Sequence, residues 1–162
     1  MSHATRVWTL GTERRKRLLQ YTGCGLDDIW LGSGYDKVIA DGEEGIIIRD
    51  LDGLHEAIGR SLVQRKKLLT GKEIRFLRLQ MNLTQSKLAR LVGCDAQQVA
   101  RYEKGQNKMH GAVDRLLRML YREHVKDPVF VEDFLEAIDE MDSRMDDKQV
   151  FDETADGWKS AA

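Results

Sequence analysis

The sequence has few cysteines and no long apolar run. These two features argue against a metal-binding protein and against a membrane-spanning one. Its two cysteines, Cys24 and Cys94, form no CxxC pair, and its four histidines show no HxxxH spacing. We therefore expect no structural zinc site, which usually takes four Cys or His ligands, and no other metal or cofactor. No apolar run approaches the roughly 18 residues that span a bilayer, and the first residues lack the apolar stretch of a secretory signal. We expect a cytoplasmic protein.

The sequence also lacks a recognisable catalytic motif. The acid pairs Asp27-Asp28 and Asp146-Asp147 have no nucleophile or base beside them. The glycines between residues 21 and 35 are not followed by the Gly-Lys-Ser/Thr of a phosphate-binding loop. The sequence therefore does not predict an enzyme.

Charge, by contrast, is abundant and unevenly distributed. The net charge of the whole chain is only −1. Residues 70–126, however, contain 12 Lys and Arg against 5 Asp and Glu, whereas residues 127–162 contain 3 against 12. A basic middle segment beside an acidic one is typical of a module that binds a polyanion.

Residues 18–64 have the pattern of a small sheet followed by a helix. Short β-prone runs, separated by Gly- and Asp-rich turns, predict strands at 18–21, 28–31, 37–40 and 45–49. Apolar residues at helical spacing then begin at Leu51 and continue to Leu62. We predict a small N-terminal antiparallel sheet plus one helix.

From residue 70 onward the pattern is helical. Apolar spacing and capping residues predict helices at about 71–81, 85–92, 96–104 and 112–124. In the second of these helices we expect Leu88, Leu91 and Val92 to face inward. Asp127 and Pro128 predict the start of a fifth, acidic amphipathic helix that ends near residue 142.

The predicted fold class is therefore α+β, a small sheet with a helix followed by an all-α bundle of about five helices. The remainder of the chain is short of apolar residues and is predicted to be disordered. The predicted divisions are an N-terminal α+β domain, a helical DNA-binding domain, an acidic helix and a disordered tail, at 1–66, 67–126, 127–142 and 143–162.

The four helices from residue 71 to 124 carry a family resemblance. Leu83-Thr84-Gln85, Leu88-Ala89, Val92-Gly93, Val99 and Tyr102-Glu103-x-Gly105 together resemble the Cro/C1-type helix-turn-helix of the XRE family. In this family the helix after the turn reads DNA bases, and the resemblance places Ala96, Gln97 and Arg101 at the base-facing positions. Gln98 lies next to them.

The chemistry of these residues supports base reading independently of the resemblance. Gln97 and Arg101 are four residues apart and share one face of a helix whose other face carries Val99 and Tyr102. Gln can make two hydrogen bonds to adenine and Arg two to guanine, whereas Ala96 can only touch a thymine methyl.

Other residues are predicted to hold the DNA backbone or the domain itself. Gln85 matches the family's phosphate-contacting Gln at a helix N-terminus. The remaining predicted phosphate contacts are Thr84, Lys104, Asn107 and Lys108. Glu103 matches a buried carboxylate of the family that pairs with an Arg on the first helix, here Arg78.

Three functions are compatible with these features. The favoured one is a sequence-specific transcriptional regulator, a repressor, that binds operator DNA on the bacterial nucleoid as a homodimer. The alternative is an antitoxin, because the chain is similar to MqsA-type (YgiT-type) antitoxins, which bind a toxin protein through an N-terminal zinc domain. Here the zinc-ligand cysteines are missing. A third is an adaptor that uses the acidic helix.

Overall fold

The computed structural model describes residues 18–65, 67–127 and 148–161, and its N-terminal part contains the predicted strands and helix. The strands are β1 (Leu19–Gln20), β2 (Ile29–Leu31), β3 (Tyr35–Ala40) and β4 (Glu43–Ile48), followed by helix α1 (Leu51–Gln64). Helix α1 begins where the side chain of Asp50 accepts a hydrogen bond from Gly53 N. The predicted α+β class, with an N-terminal antiparallel sheet plus a helix, is confirmed.

Four helices follow at the predicted places. They are α2 (Gly71–Gln80), α3 (Gln85–Val92), α4 (Ala96–Glu103) and α5 (Gly111–His124). A capping box starts α2, because Thr70 accepts a bond from Glu73 N and the Glu73 carboxylate accepts one from Thr70 N. Residues 1–17 lie outside the described residues. So does the predicted helix 127–142, except for its first residue.

The prediction of a disordered tail is wrong for residues 148–161. This segment forms the hairpin of β5 (Gln149–Thr154) and β6 (Gly157–Ala161), and its Phe151 is fully buried. Composition misled the prediction, because a strand that joins an existing sheet needs only one buried face. Phe151 and Trp158 provide that face although the segment around them is polar.

The C-terminal hairpin completes the N-terminal sheet. The strand order is β1-β2-β5-β6, with β2 and β5 parallel and the other two pairs antiparallel. Strands β3 and β4 form a separate antiparallel ribbon. The indole N–H of Trp158 donates to the carbonyls of Arg49 and Asp50, which ties β6 to the start of α1.

One buried cluster extends from the sheet into the helices. It includes Ile29 and Leu31 of β2, Leu54, Ile58 and Leu62 of α1, and core residues of all four later helices. Arg118 of α5 is buried beside Asp114 and donates to the carbonyls of Leu62, Val63, Arg65 and Lys67. Its guanidinium therefore closes the end of α1 against α5.

A series of side-chain hydrogen bonds through His55 also connects the N-terminal sheet to α2. The hydroxyl of Tyr21 lies 2.9 Å from His55 Nε2, and the Gln80 amide nitrogen lies 3.3 Å from His55 Nδ1. The ring of Phe76 packs edge-on against His55. Burial lowers the pKa of His55 from its ordinary value of 6.5, because the partly apolar surroundings disfavour the charged imidazolium.

Candidate nucleic-acid interface

Helices α3 and α4 are joined by a tight turn that needs a glycine. Gly93 has φ of 76°, in the left-handed region that side chains other than glycine rarely adopt. Past it, Cys94 N donates to Ala89 O at 2.9 Å, a hydrogen bond that closes the end of α3. Asp95 then caps α4 by accepting a bond from Gln98 N at 2.7 Å. The turn thus fixes the direction in which α4 leaves α3.

The inner face of this helix pair is well packed. Leu88, Ala89 and Val92 of α3 and Val99 and Tyr102 of α4 are all buried. Because Ala89 has only a methyl group, the two helices can cross closely. Leu91 differs from the prediction, since its side chain is exposed. Leu88 and Val92, one turn apart, occupy the inner face, and Leu91 lies at its edge.

The outer face of α4 presents the predicted base readers. Gln97 and Arg101 are exposed and one helical turn apart, whereas Ala96 and Gln98 are half-buried beside them. The structure therefore places Gln97 and Arg101 on the outward side of a helix that the buried Val99 and Tyr102 hold in place, with Ala96 and Gln98 at the flanks of that side. Such a helix end, with rigid backing and long polar side chains, has the shape that enters a major groove.

Glu103 organises a polar network behind this face. Its carboxylate pairs with the Arg78 guanidinium, with Nη2 to Oε2 at 3.1 Å, and both side chains are nearly buried. Arg78 also donates to the carbonyl of Leu83 at 2.8 Å. Gln85 donates from its amide nitrogen to Glu103 Oε2 at 2.8 Å. Helix α2, the start of α3 and the end of α4 are therefore connected through one carboxylate.

This network sets the position of Gln85, the predicted phosphate contact. A side-chain amide has two N–H bonds, and Glu103 accepts from one of them. The sequence predicted the partner Arg78 for Glu103 but not the partner Gln85. Residues 85 and 103 are 18 positions apart, and no local pattern relates them.

The other predicted phosphate contacts lie on both sides of α4. Thr84 is exposed and caps α3, accepting a bond from Lys87 N at 3.1 Å. Lys104, Asn107 and Lys108 are exposed in the segment that follows α4. Their placement at the ends of α3 and α4 is suited to the two backbones that border a groove.

The surface of residues 70–126 is basic because most of its acidic groups are internal. Glu73, Glu103 and Asp114 are paired with arginines and have nearly buried side chains. Asp95 and Glu123 are the acidic residues of this segment that are exposed. The exposed cations are more numerous: Lys72, Arg75, Lys87, Arg90, Arg101, Lys104, Lys108 and Lys126. Such a surface attracts a polyanion.

Neither cysteine belongs to a cluster of metal ligands in the described part of the chain. Across residues 18–65, 67–127 and 148–161, no three His, Cys, Asp or Glu side chains are grouped so as to hold a metal ion. Burial raises the pKa of the Cys24 thiol and of the Cys94 thiol, so both favour the protonated form. None of the helices described here is long and apolar enough to cross a membrane.

Comparison with families of known proteins identifies the same helix pair. A family model described as a helix-turn-helix matches residues 74–109, which run from the first turn of α2 to just beyond α4. The matched range contains the residues predicted to face DNA bases and the network around Glu103. No curated protein and no solved structure shows significant similarity to the chain.

Proposed function

Because residues 74–109 form a helix-turn-helix domain of the XRE type, we propose that the protein is a sequence-specific transcriptional regulator that reads operator DNA with α4. One observation carries this proposal. Gln97 and Arg101 are exposed, one turn apart, on a short helix whose opposite face is buried. They have no packing function there, and their hydrogen-bonding groups match base edges.

The proposed base contacts follow from side-chain chemistry. Arg101 donates two hydrogen bonds to guanine O6 and N7, and Gln97 pairs with adenine N6 and N7, each pair contributing about 1–3 kcal/mol of discrimination. Ala96 touches a thymine methyl. Gln98 is half-buried and contributes at the edge of the contact.

The proposed backbone contacts orient α4 in the groove. The second N–H of Gln85 donates to a phosphate oxygen, with the amide held in place by Glu103. Thr84 and Gln85 stand at the N-terminus of α3, where backbone N–H groups also favour an anion. Lys104, Asn107 and Lys108 hold the adjacent strand of the duplex.

We further propose that two copies act together and repress transcription. A single eight-residue helix offers few base contacts, and two copies on half-sites about 34 Å apart supply the missing affinity and specificity. A dimer bound in this way excludes other proteins from the same stretch of DNA. This function places the protein in the cytoplasm, on the nucleoid. The toxin-binding function implied by the MqsA-type resemblance stays a prediction.

Selection of bound duplexes from a random DNA pool tests the proposed function. We expect enrichment of one sequence with two-fold symmetric half-sites separated by about one helical turn. Affinity for the selected site should fall steeply as salt rises, because lysines and arginines release counterions from the phosphates they neutralise. A pool that remains random after several rounds at low salt would refute sequence-specific binding.

A further inference from the structure

The ribbon of β3 and β4 is the most exposed element of the described N-terminal part. Its two strands pair only with each other among the described residues, and residues 39–47 are all solvent-exposed. Asp41 and Gly42 form the turn at its tip, both with positive φ. At its base, Tyr35 and Ile48 pack against the core, so the ribbon is anchored at one end and projects at the other.

Strand β4 carries apolar residues that the described part of the chain leaves exposed. Ile46 is 41% exposed and Ile47 is 55% exposed, and these two side chains point to opposite faces of the ribbon. A two-stranded ribbon alone has marginal stability in water. A six-residue strand with isoleucines and an unpaired edge is a ready template for another strand.

We propose that the β4 edge is the dimer interface, where β4 of one copy pairs antiparallel with β4 of a second copy about a two-fold axis. The two ribbons then make a continuous four-stranded sheet in the order β3-β4-β4-β3. The need for a second copy rests on the proposed function. The choice of the β4 edge rests on the exposed isoleucines and the projecting position of the ribbon.

The residues of β4 are self-complementary in one register. A two-fold axis through Ile46 sets Ile46 opposite its own copy and Ile47 opposite Gly45, whose missing side chain leaves space for it. The same register sets Arg49, directly after β4, opposite Glu43 twice, because an isologous contact repeats every pair. Arg49 remains 52% exposed although it also pairs with Glu153 at 3.1 Å. Opposite charges facing across strands stabilise the pairing.

The neighbouring registers lack this complementarity. An axis through Gly45 would oppose Ile46 to Glu44 and Ile47 to Glu43, which places two apolar side chains against carboxylates, whereas the axis at Ile46 makes only one such pairing, of Ile48 with Glu44. An axis through Ile47 would set Ile47 opposite its own copy and Ile46 opposite Ile48, but it would oppose Arg49 to Gly45 and lose the ion pairs. A shift by a single residue would put opposite residues on different faces of the sheet. The ion pairs between Arg49 and Glu43 therefore favour the axis at Ile46.

Sedimentation of the full chain without DNA tests the interface. We expect the parent to be a dimer, and Ile46→Asp to weaken self-association by more than about tenfold, because two carboxylates would meet at the axis. Ile39→Asp is the matched control. Ile39 is exposed on the same face of the ribbon but on the outer strand β3, so this variant should remain a dimer. A monomeric parent, or a dimeric Ile46→Asp variant with unchanged affinity, would overturn the proposal.

Disulfide crosslinking tests the register. Two copies of residue 46 would face each other with Cα atoms roughly 5 Å apart, within the range that a disulfide bridges. Two copies of residue 47 would be offset by two residues along the strands, which puts their Cα atoms roughly 8 Å apart, too far for a disulfide. Ile46→Cys should therefore crosslink under mild oxidation and Ile47→Cys should not, above the background from Cys24 and Cys94. Equal crosslinking of both variants would contradict the register.

The two proposals fail separately. If the protein were a dimer with the predicted crosslinking pattern but selected no DNA sequence, the regulatory function would be refuted and the proposed interface would be retained. A selected operator bound by a dimer that Ile46→Asp does not weaken would retain the regulator and refute this interface.

Discussion

Glu103 connects three parts of the helix-turn-helix with one side chain, and its partner Arg78 is nearly buried. Replacing Arg78 with Met leaves a buried carboxylate without its cation. We expect the free energy of unfolding to fall by about 3–5 kcal/mol, since breaking a buried ion pair from one side is costly. Urea unfolding measures this change.

Arg75→Met is the control for this prediction, since Arg75 lies on the same helix with its side chain exposed. We expect its effect to stay within about 0.5 kcal/mol. Equal effects of the two substitutions would show that the Arg78–Glu103 pair contributes no more to stability than an exposed arginine does.

His55 makes stability depend on pH in a defined direction. Burial lowers its pKa in the folded chain below 6.5, so the unfolded chain binds the proton at a higher pH than the folded chain does. The stabilisation is complete above about pH 6.5 and is lost as the pH falls through the lowered pKa. We expect His55→Gln to lose less stability than the parent between about pH 7 and pH 5.5, measured by urea unfolding.

The exposed His110 offers the comparison for this pH effect. The variant His110→Gln should retain the parent's dependence on pH. If His55→Gln also retained it, the neutral histidine between Tyr21 and Gln80 would not be the group responsible.

The positions of single residues around α4 were predictable from the sequence, but the hydrogen bonds that connect α4 to the other helices were not. The four-residue spacing of Gln97 and Arg101, opposite Val99 and Tyr102, follows from helical geometry alone. The bond from Gln85 to Glu103 depends on how α3 and α4 cross, which local sequence does not specify. The exposure of Leu91 has the same origin, because tertiary packing decides which of two adjacent apolar positions is covered.

At the scale of elements, the turn between α3 and α4 depends on Gly93. Its φ of 76° is unfavourable for any residue with a Cβ. We expect Gly93→Ala to lower the free energy of unfolding by about 1–2 kcal/mol and to weaken DNA binding, because α4 would be tilted. Chemical denaturation and a binding titration measure the two effects.

Gly111→Ala should act in the opposite direction. Gly111 is the first residue of α5, has no positive φ, and has no atom within 4 Å of an added Cβ. Alanine there should stabilise the protein by about 0.5–1 kcal/mol, because glycine has more conformational freedom to lose. Destabilisation by both substitutions would argue against the conformational explanation for Gly93.

The elements differ in how readily sequence predicts them. Helices α2 to α4 have capping residues, and all four helices from α2 to α5 have apolar spacing within a few positions, so their bounds were close to the prediction. Strand β5 pairs in parallel with β2, more than 100 residues earlier in the chain. Such a pairing has no local signal, and average composition pointed the wrong way.

At the scale of the whole molecule, the C-terminal hairpin holds the N-terminal sheet together. Phe151 is fully buried in the core that β2 and α1 share. We expect Phe151→Ala to lower the free energy of unfolding by about 3–5 kcal/mol, since it removes a buried aromatic ring and leaves a cavity. Ser160, opposite Phe151 on β6 and exposed, is the control. Ser160→Ala should change stability by less than about 0.5 kcal/mol. A neutral Phe151→Ala would mean that the hairpin is not part of the folded unit.

The proposed function depends on α4 as the element that reads DNA sequence, and a substitution of Arg101 tests this role directly. The measurement is the ratio of affinities for the selected operator and for unrelated duplex, at one stated salt concentration, for the parent, Arg101→Ala and Lys104→Ala. We predict that Arg101→Ala lowers this ratio, and that the free energy of discrimination it expresses falls by about 1–3 kcal/mol for each half-site contact. The variant removes a pair of hydrogen bonds to guanine. Lys104→Ala should weaken binding to both duplexes alike, because a phosphate contact carries no sequence information. An unchanged ratio for Arg101→Ala would contradict the account.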